Sequence, residues 1–540
     1  MNKNIHLILI FFKRYYVTHK IKLILYLFSL FAHRFFSLLL PIYMKLLIDT
    51  AVNMQTHSIN ELHYYGIMNF GVLLLFILFL VLRNYWGDTV TIDVETDLKK
   101  RGIEKISKID YPTIQGKDNS FFIQRIMSDI EQSSDLMFYD FSLFIANLLY
   151  FVGLIYIMMT LSPVLTLLLI LFIPLFLITT RYYIPKIKLM SEKIRHNDED
   201  LTQVLEEAKS GALTIKLFLL YDYFHRKLSR VVKKRLFYRK RNMRYHIAYD
   251  FVIVAGLMNI ASLVIYWIGG LFVFRHMLSI GSLVALSLYF SKLWTPAEYF
   301  MDFPKTLNIK LVSFFRIKEF FDLPEEDFTL NGKKELVSFK TLHINDVSLD
   351  YEDAPVLKGI MLKVNKNEKI LIKGDNGSGK TTLLMIIAGL IKPGKGGVLI
   401  NGNDISSYAL NALRRCIVFI PQTSYLFKGP LHSYLSGYDA IGDFNTKRFD
   451  KKKVAENGTN LSGGEKKMIQ LMRGLENRGD LYLLDEPLSS VDKSNRQAFI
   501  DQIKALFKDK TLIIVSHQDD FNELVDRKLV LLNGMLQEES

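Results

Sequence analysis

The stretch Lys369-Ile370-Leu371-Ile372-Lys373-Gly374-Asp375-Asn376-Gly377-Ser378-Gly379-Lys380-Thr381-Thr382 decides how the last third of the chain is read. A strand-like apolar run enters a glycine-rich loop, and the helical run Leu383–Leu390 follows. The loop matches G-x-x-x-x-G-K-[ST] in the strand–loop–helix setting that this motif requires. Its glycines let backbone N–H groups close around phosphate oxygens at a helix N-terminus. Gly374, Asp375, Asn376, Gly377, Ser378, Gly379, Lys380, Thr381 and Thr382 are therefore expected to bind a nucleotide. Lys380 would bridge its β- and γ-phosphates, and the Thr381 hydroxyl would bind Mg²⁺.

Leu481-Tyr482-Leu483-Leu484-Asp485-Glu486 is a buried-strand pattern that ends in two carboxylates. Asp485 can hold Mg²⁺, and Glu486 can polarise an attacking water as general base. Alone, such a pair is often a strand-end cap; beside an intact phosphate loop the catalytic reading is preferred. Leu461-Ser462-Gly463-Gly464-Glu465 precedes a helical run. Taken singly it is weak evidence, since serine is a good N-cap.

Together these three motifs resemble the ABC transporters of exporter type, one transmembrane domain fused ahead of one nucleotide-binding domain. The resemblance spans nearly the whole chain. It implies that Ser462, Gly463 and Gly464 sit on the nucleotide held by the opposite subunit. It implies that Gln422, in Ile420-Pro421-Gln422-Thr423, touches Mg²⁺ and senses the membrane domain. His517 resembles the switch histidine at the γ-phosphate, and Tyr351 stands where the family stacks an aromatic on adenine. Ser489-Ser490-Val491-Asp492 resembles the D-loop. The catalytic set implied is Glu486, His517 and Gln422; the metal set is Thr381, Gln422 and Asp485. Ser210–Phe218 and the segment from Tyr111 to Gln132 resemble the two coupling segments that transmit nucleotide-domain closure to the spans.

Three departures stand out. Glu465 replaces the usual glutamine, Met468 replaces a common arginine, and Leu461 follows Gln422 by 39 positions, which is short for the family.

Half of the 540 residues are apolar, and long apolar runs recur up to about residue 310. They lie near 21–48, 62–86, 137–160, 163–183, 246–274 and 279–300. Each is long enough to cross a bilayer, which takes ~20 helical residues, and only helices or closed barrels satisfy the backbone there. Lys and Arg concentrate in Lys99–Lys108 and Lys186–Arg244, while the three alternate connections carry Arg275 alone. The positive-inside rule then places both termini and both long loops in the cytoplasm of a multi-pass cell-membrane protein. Much of the net charge of +14 is accounted for in this way, and no nucleic-acid partner is expected. The run Ile5–Phe12 reads as a short helix on the cytoplasmic membrane surface.

The fold expected is an all-α six-helix transmembrane domain over 1–320, a linker over 321–335, and an α/β P-loop ABC ATPase domain over 336–540. Arg34 and Lys292 fall inside spans, where ionisable groups tend to face an aqueous cavity or else snorkel to the interface. With Trp267 they are candidates for one cargo cavity.

One phosphate loop and one signature per chain imply a second subunit. Because every catalytic position is filled, a homodimer that uses ATP and Mg²⁺ is the simplest form. The cargo expected is a small peptide or amphipathic compound. The composition and compact layout are similar to bacterial exporters of antimicrobial peptides, and lipid flippases and multidrug exporters share that layout. With no room ahead of the first span for a cysteine peptidase domain, the chain is not expected to cut a leader. An ATP-gated signalling protein without cargo stays open. A chromosome-maintenance ATPase is disfavoured, because it would place long charged coiled coils between the motifs.

Overall fold

The computed structural model describes residues 17–53, 57–135, 139–327, 333–351, 354–423, 425–430, 453–476, 478–489, 491–492, 496–517 and 519–539. The N-terminal run Ile5–Phe12 lies outside them. By internal contacts the chain divides into two units, Met1–Ile103 with Ile123–Phe321, and Glu104–Phe122 with Asp322–Ser540.

The first unit is helical. Its long elements are α1 (Lys20–Val52) and α2 (Ile59–Ile106), then α4 (Phe141–Leu161), α5 (Pro163–Ser210), α7 (Tyr221–Phe274) and α8 (Ile280–Phe321), with α3 and α6 introduced below. Among the described residues, α1, α2, α4, α5 and α7 are long and apolar enough to cross a membrane. The sixth expected span, α8, is a continuous 42-residue helix, made less apolar by Lys292 and Glu298. Between α4 and α5 the turn is as short as its sequence. Ser162 leaves the helical conformation, and its hydroxyl accepts from Leu165 N, with Pro163 at the first helical position.

The long polar connections are helical too. α5 and α7 run past the apolar stretches and pair side by side, with Asn197 Nδ2 donating to Val231 O (3.1 Å) and Arg235 bridging Asp198. The short helix α6 (Ala212–Leu217) joins them. Gly211 ends α5, and Leu219 adopts φ 55° just beyond α6. The exposed tip carries Leu213, Leu217, Phe218 and Leu219.

At the opposite end of the spans, α1 is tied to α8. Asp49 accepts from the backbone N–H of Gly281 (2.8 Å) and from the Ser279 hydroxyl (2.8 Å), so a carboxylate caps the first turn of α8. A Cβ on Gly281 would stand 2.3 Å from Lys45 O. Nothing larger than hydrogen fits there.

In the second unit, β1 (Thr341–Tyr351), β2 (Ala354–Asn365), β4 (Lys395–Ile400) and β5 (Asn403–Asp404) form an antiparallel sheet in the order β2-β1-β4-β5. A six-stranded sheet has the order β12-β11-β3-β10-β9-β6. Its members are β3 (Lys369–Lys373), β6 (Ile417–Ile420), β9 (Leu481–Asp485), β10 (Thr511–Val515), β11 (Arg527–Leu532) and β12 (Met535–Glu538). Parallel pairing holds β11, β3, β10, β9 and β6 together. β9 and β10 are buried at every position, as their continuous apolar runs require for a sheet covered on both faces. The remaining strands β7 (Gly429–Pro430) and β8 (Lys453–Val454) form a two-stranded ladder.

Residues 104–122 belong to this second unit. α3 (Tyr111–Gln115) is capped by Asp110, whose side chain accepts from Thr113 N, and Tyr111 packs on the sheet core. Asp110 N donates to Pro324 O (3.2 Å), and Glu326 N donates to Lys108 O (2.7 Å). Lys105, 6% exposed, reaches Leu323 O and Glu325. Glu326 is then gripped bidentately by Arg414, on the helix Leu410–Cys416, a geometry that fixes direction as well as charge.

Two outcomes follow. Gly281→Ala overpacks the α1–α8 tie and lowers stability by about 1–3 kcal/mol, read as a lower thermal midpoint of the purified protein. Cys416 ends the helix before β6 and is buried; burial, then Asp480, pushes its thiol up to about 11. It stays a thiol at neutral pH, so a maleimide labels it only after unfolding.

Candidate active site

The phosphate loop leaves the C-terminal end of β3 and opens the helix Lys380–Ile387. Gly377 (φ 84°) and Gly379 (φ 100°) take left-handed conformations, which glycine alone adopts at little cost. A Cβ on Gly379 would also lie 2.9 Å from Leu357 Cδ2. Lys380 is 6% exposed, and its ammonium donates to Gly374 O and Asp375 O, both at 2.7 Å. Thr381 Oγ1 donates to Asp485 Oδ2 at 2.8 Å. Asp485 closes β9 and is 2% exposed; burial raises its pKa, and the Thr381 hydrogen bond opposes that.

Glu486 follows with φ 43°, a rare conformation for a residue other than glycine and one concentrated at functional sites. Its backbone N–H donates to Val515 O (2.9 Å) on β10, which turns its side chain back over the strand ends. There Gln422 Nε2 donates to Glu486 Oε2 (3.0 Å), and His517 Nδ1 lies 3.4 Å from Glu486 Oε1. Gln422 emerges just after β6 and His517 just after β10. Gln422, Glu486 and His517 line a cavity of about 510 Å³ together with Asn376, Gly377, Gly379, Lys380, Thr381 and Thr382. The structure thus brings Gln422, Glu486, His517, Lys380 and Thr381 around one cavity, with Asp485 bonded to Thr381. Its hydroxyl, carboxylate and amide oxygens are the hard donors that suit Mg²⁺.

The signature residues lie elsewhere, at the start of the helix Gly463–Glu476. Glu465 N donates to Ser462 Oγ (3.2 Å), and Ser462 N donates to Glu465 Oε2 (2.9 Å). Glutamate and glutamine can both close such a reciprocal capping box, so Glu465 keeps this function of the position. Met468 is partly buried between two apolar clusters, where an arginine would need an ionic partner. Tyr351 closes β1 opposite Ala354; its side chain, Ser490 of the D-loop and residues 431–452 of the short connection lie outside the described residues.

The cargo candidates are divided by the fold. Arg34 and Lys292 meet around Ser37 and Tyr150. Trp267 does not join them. It is 68% exposed, two residues from buried Ile265 and Gly269, and a step of two residues turns a helix by about 200° away from the packed face.

One functional candidate escaped sequence reading. Lys467 is 2% exposed, and its ammonium donates to Gln422 O (2.7 Å) and Pro421 O (3.1 Å). Burial pulls its pKa down to about 8, against the attraction of Asp485 and Glu486. It joins the signature helix to the Gln422 loop within one chain. Its signal was position: Lys467 lies four residues before Leu471 and seven before Gly474, both buried, on the helix's inward stripe. Lys467→Met leaves two carbonyls without this donor and loosens Gln422. We expect kcat for ATP hydrolysis to fall roughly tenfold, ~1.4 kcal/mol in barrier height, with KM little changed. Lys467→Gln, which keeps an N–H donor, recovers most of it. Steady-state kinetics of the two variants checks this.

The family model described as ABC transporter transmembrane region matches residues 23–296, just over half of the chain, and the model described as ABC transporter matches residues 357–489. A Bacillus subtilis protein named for multidrug export, YgaD, is 25% identical over 536 residues, covering 93% of this chain and 90% of its own. The pediocin PA-1 transport/processing ATP-binding protein PedD of Pediococcus acidilactici is 28% identical over 368 residues, 63% of this chain and 50% of its own. A bacterial Atm1-family ABC exporter, solved with ATP bound, shares the fold at TM-score 0.74 and 18% identity, covering 96% of this chain and 94% of that one. The chain belongs to the ABC transporter family: it is an ATPase coupled to transport, with transmembrane region and nucleotide-binding domain in one polypeptide.

Proposed function

We propose that the chain is one half of a homodimeric exporter that moves a small peptide or other amphipathic compound out of the cytoplasm. Residues 1–320 supply the membrane domain and its long cytoplasmic extensions, of which 104–122 group with the ATPase unit; both termini are cytoplasmic, 321–335 is the linker and 336–540 the ATPase domain. The observation that carries the reading is Glu486, held by Gln422 and His517 on the wall of the phosphate-loop cavity.

In this reading the loop 374–382 cradles the phosphates and Tyr351 stacks on adenine. Ser462, Gly463 and Gly464 of a second copy close over the γ-phosphate, which is why one chain carries an incomplete site. Thr381, Asp485 and Gln422 would hold Mg²⁺, which would supply neutralisation of phosphate charge. Glu486 accepts a proton as the water oxygen bonds to the γ-phosphorus and the bond to the bridging oxygen breaks, releasing ADP and phosphate. His517 donates to the γ-phosphate as charge shifts there. ATP binding draws the two ATPase domains together, and hydrolysis resets them. The hydrogen bonds among 105–110, 323–326 and Arg414 support transmission through the first coupling segment. The apolar tip at α6 supports the second.

For cargo, the likeness to a protein named for pediocin transport favours a peptide. The longer match to a protein named for multidrug export favours a broader amphipathic range, the second reading.

Glu486→Gln keeps the shape and removes the base. ATP hydrolysis by the reconstituted protein should fall by at least ~10²-fold while nucleotide binding, followed by a fluorescent ATP analogue, persists. Near-normal turnover in this variant rules out Glu486 as the base.

A further inference from the structure

Within the helical first unit, two cations meet with no carboxylate bonded to either among the described residues. Arg34 NH2 donates to Asn147 Oδ1 (2.6 Å), and its guanidinium stands 4.9 Å from the Tyr150 ring centroid. Lys292 Nζ donates to Ser37 Oγ (2.9 Å), and the Ser37 hydroxyl pairs with Tyr150 OH (2.8 Å). Ser37, Asn147 and Tyr150 are buried, while Arg34 and Lys292 keep partial exposure. Arg34 Nε is buried and has no hydrogen-bond partner.

Depth excludes snorkelling as an explanation. Within the apolar runs 21–48 and 279–300, Arg34 lies 13 residues from the nearer end and Lys292 8 residues. Those are about 20 Å and about 12 Å along helices rising 1.5 Å per residue, further than either side chain reaches. Five guanidinium and three ammonium N–H donors face a few neutral acceptors. A cationic pair at this depth marks a path or a ligand, and the shortfall here is of anionic acceptors.

We propose that Arg34 and Lys292 form an oxyanion site in the transport path, taking the carboxylate or phosphate of an amphipathic cargo. Arg34 offers the planar fork that matches such groups, and Lys292 a point charge beside it. The proposal rests on the exporter reading above and narrows its cargo to anionic amphipaths.

The test uses the full-length protein in phosphatidylcholine nanodiscs, with ATPase rate as readout. Four probes share a dodecyl tail: dodecanoate, dodecyl phosphate, dodecyl maltoside and dodecyltrimethylammonium. The expected result is saturable stimulation, severalfold, by the two anions and not by the others. Arg34→Gln and Lys292→Gln should raise the half-maximal concentration of the anions at least tenfold, and Arg34→Lys should recover part of it. A second arm replaces phosphatidylcholine by phosphatidylglycerol: stimulation that vanishes in Arg34→Gln assigns the oxyanion to a lipid headgroup, and its absence assigns it to the free amphipath. Stimulation by the neutral or cationic probe that equals the anions overturns the oxyanion site and leaves the exporter reading standing. So does an anion response unchanged in both glutamine variants. The headgroup comparison in the unmutated protein decides even where a variant fails to fold. No response to any probe overturns the amphipathic-cargo reading and the site with it.

Discussion

Everything at the nucleotide site depends on the parallel register of β3, β10, β9 and β6. Val515 pairs with Ile372 on one side and Asp485 on the other, and Leu484 pairs with Ile420. The four strands therefore end level, and the phosphate loop, Glu486, Gln422 and His517 leave the sheet side by side. Ligands of open α/β sheets bind at that edge. Apolar burial fixes the alignment. β9 and β10 expose no residue, so a slip of one position would turn every side chain to the other face. It would also move Asp485 off Thr381.

The site spends its donors on itself. Lys380 caps carbonyls of its own loop, Thr381 binds Asp485, and Gln422 and His517 engage Glu486. Phosphate binding exchanges these hydrogen bonds rather than adding to them, so its net gain per bond is modest. Lys467 holds the backbone of the Gln422 loop from behind. The exchange can thus reorient the Gln422 side chain while its main chain stays in place.

Much of this was legible because the chemistry demands particular residues at particular spacings. The loop 374–382, the carboxylates 485–486 and the apolar spans are local patterns, and the family models match both halves. What escaped depends on tertiary placement. Lys467 reads as one of two adjacent lysines on an amphipathic helix; helix phase sets it on the inward stripe beside half-buried Lys466, and its two carbonyl partners show only in the packed structure. Residues 104–122 read as part of the membrane half, yet their contacts lie with the ATPase sheet, because Lys105, Asp110 and Glu326 bond across some 220 positions of sequence. Trp267 shares composition with a cavity wall but points off the packed face, a distinction of helix phase.

The treatment of charge in the helical unit separates structure from function. Where a cation serves packing, the chain supplies a carboxylate: Lys310 with Asp140 at 2.6 Å, Arg125 with Asp129 at 2.9 Å, Lys22 with Asp93 at 2.5 Å. At Arg34 and Lys292 the same sequence offers amide, hydroxyl and ring instead. Removing one partner of a buried ion pair is strongly destabilising, so a cation meant to stay fixed gains from a permanent counter-ion. A cation meant to bind and release an anion needs partners weak enough to be displaced. Neutral acceptors around Arg34 and Lys292 meet that requirement, and a resident carboxylate would defeat it.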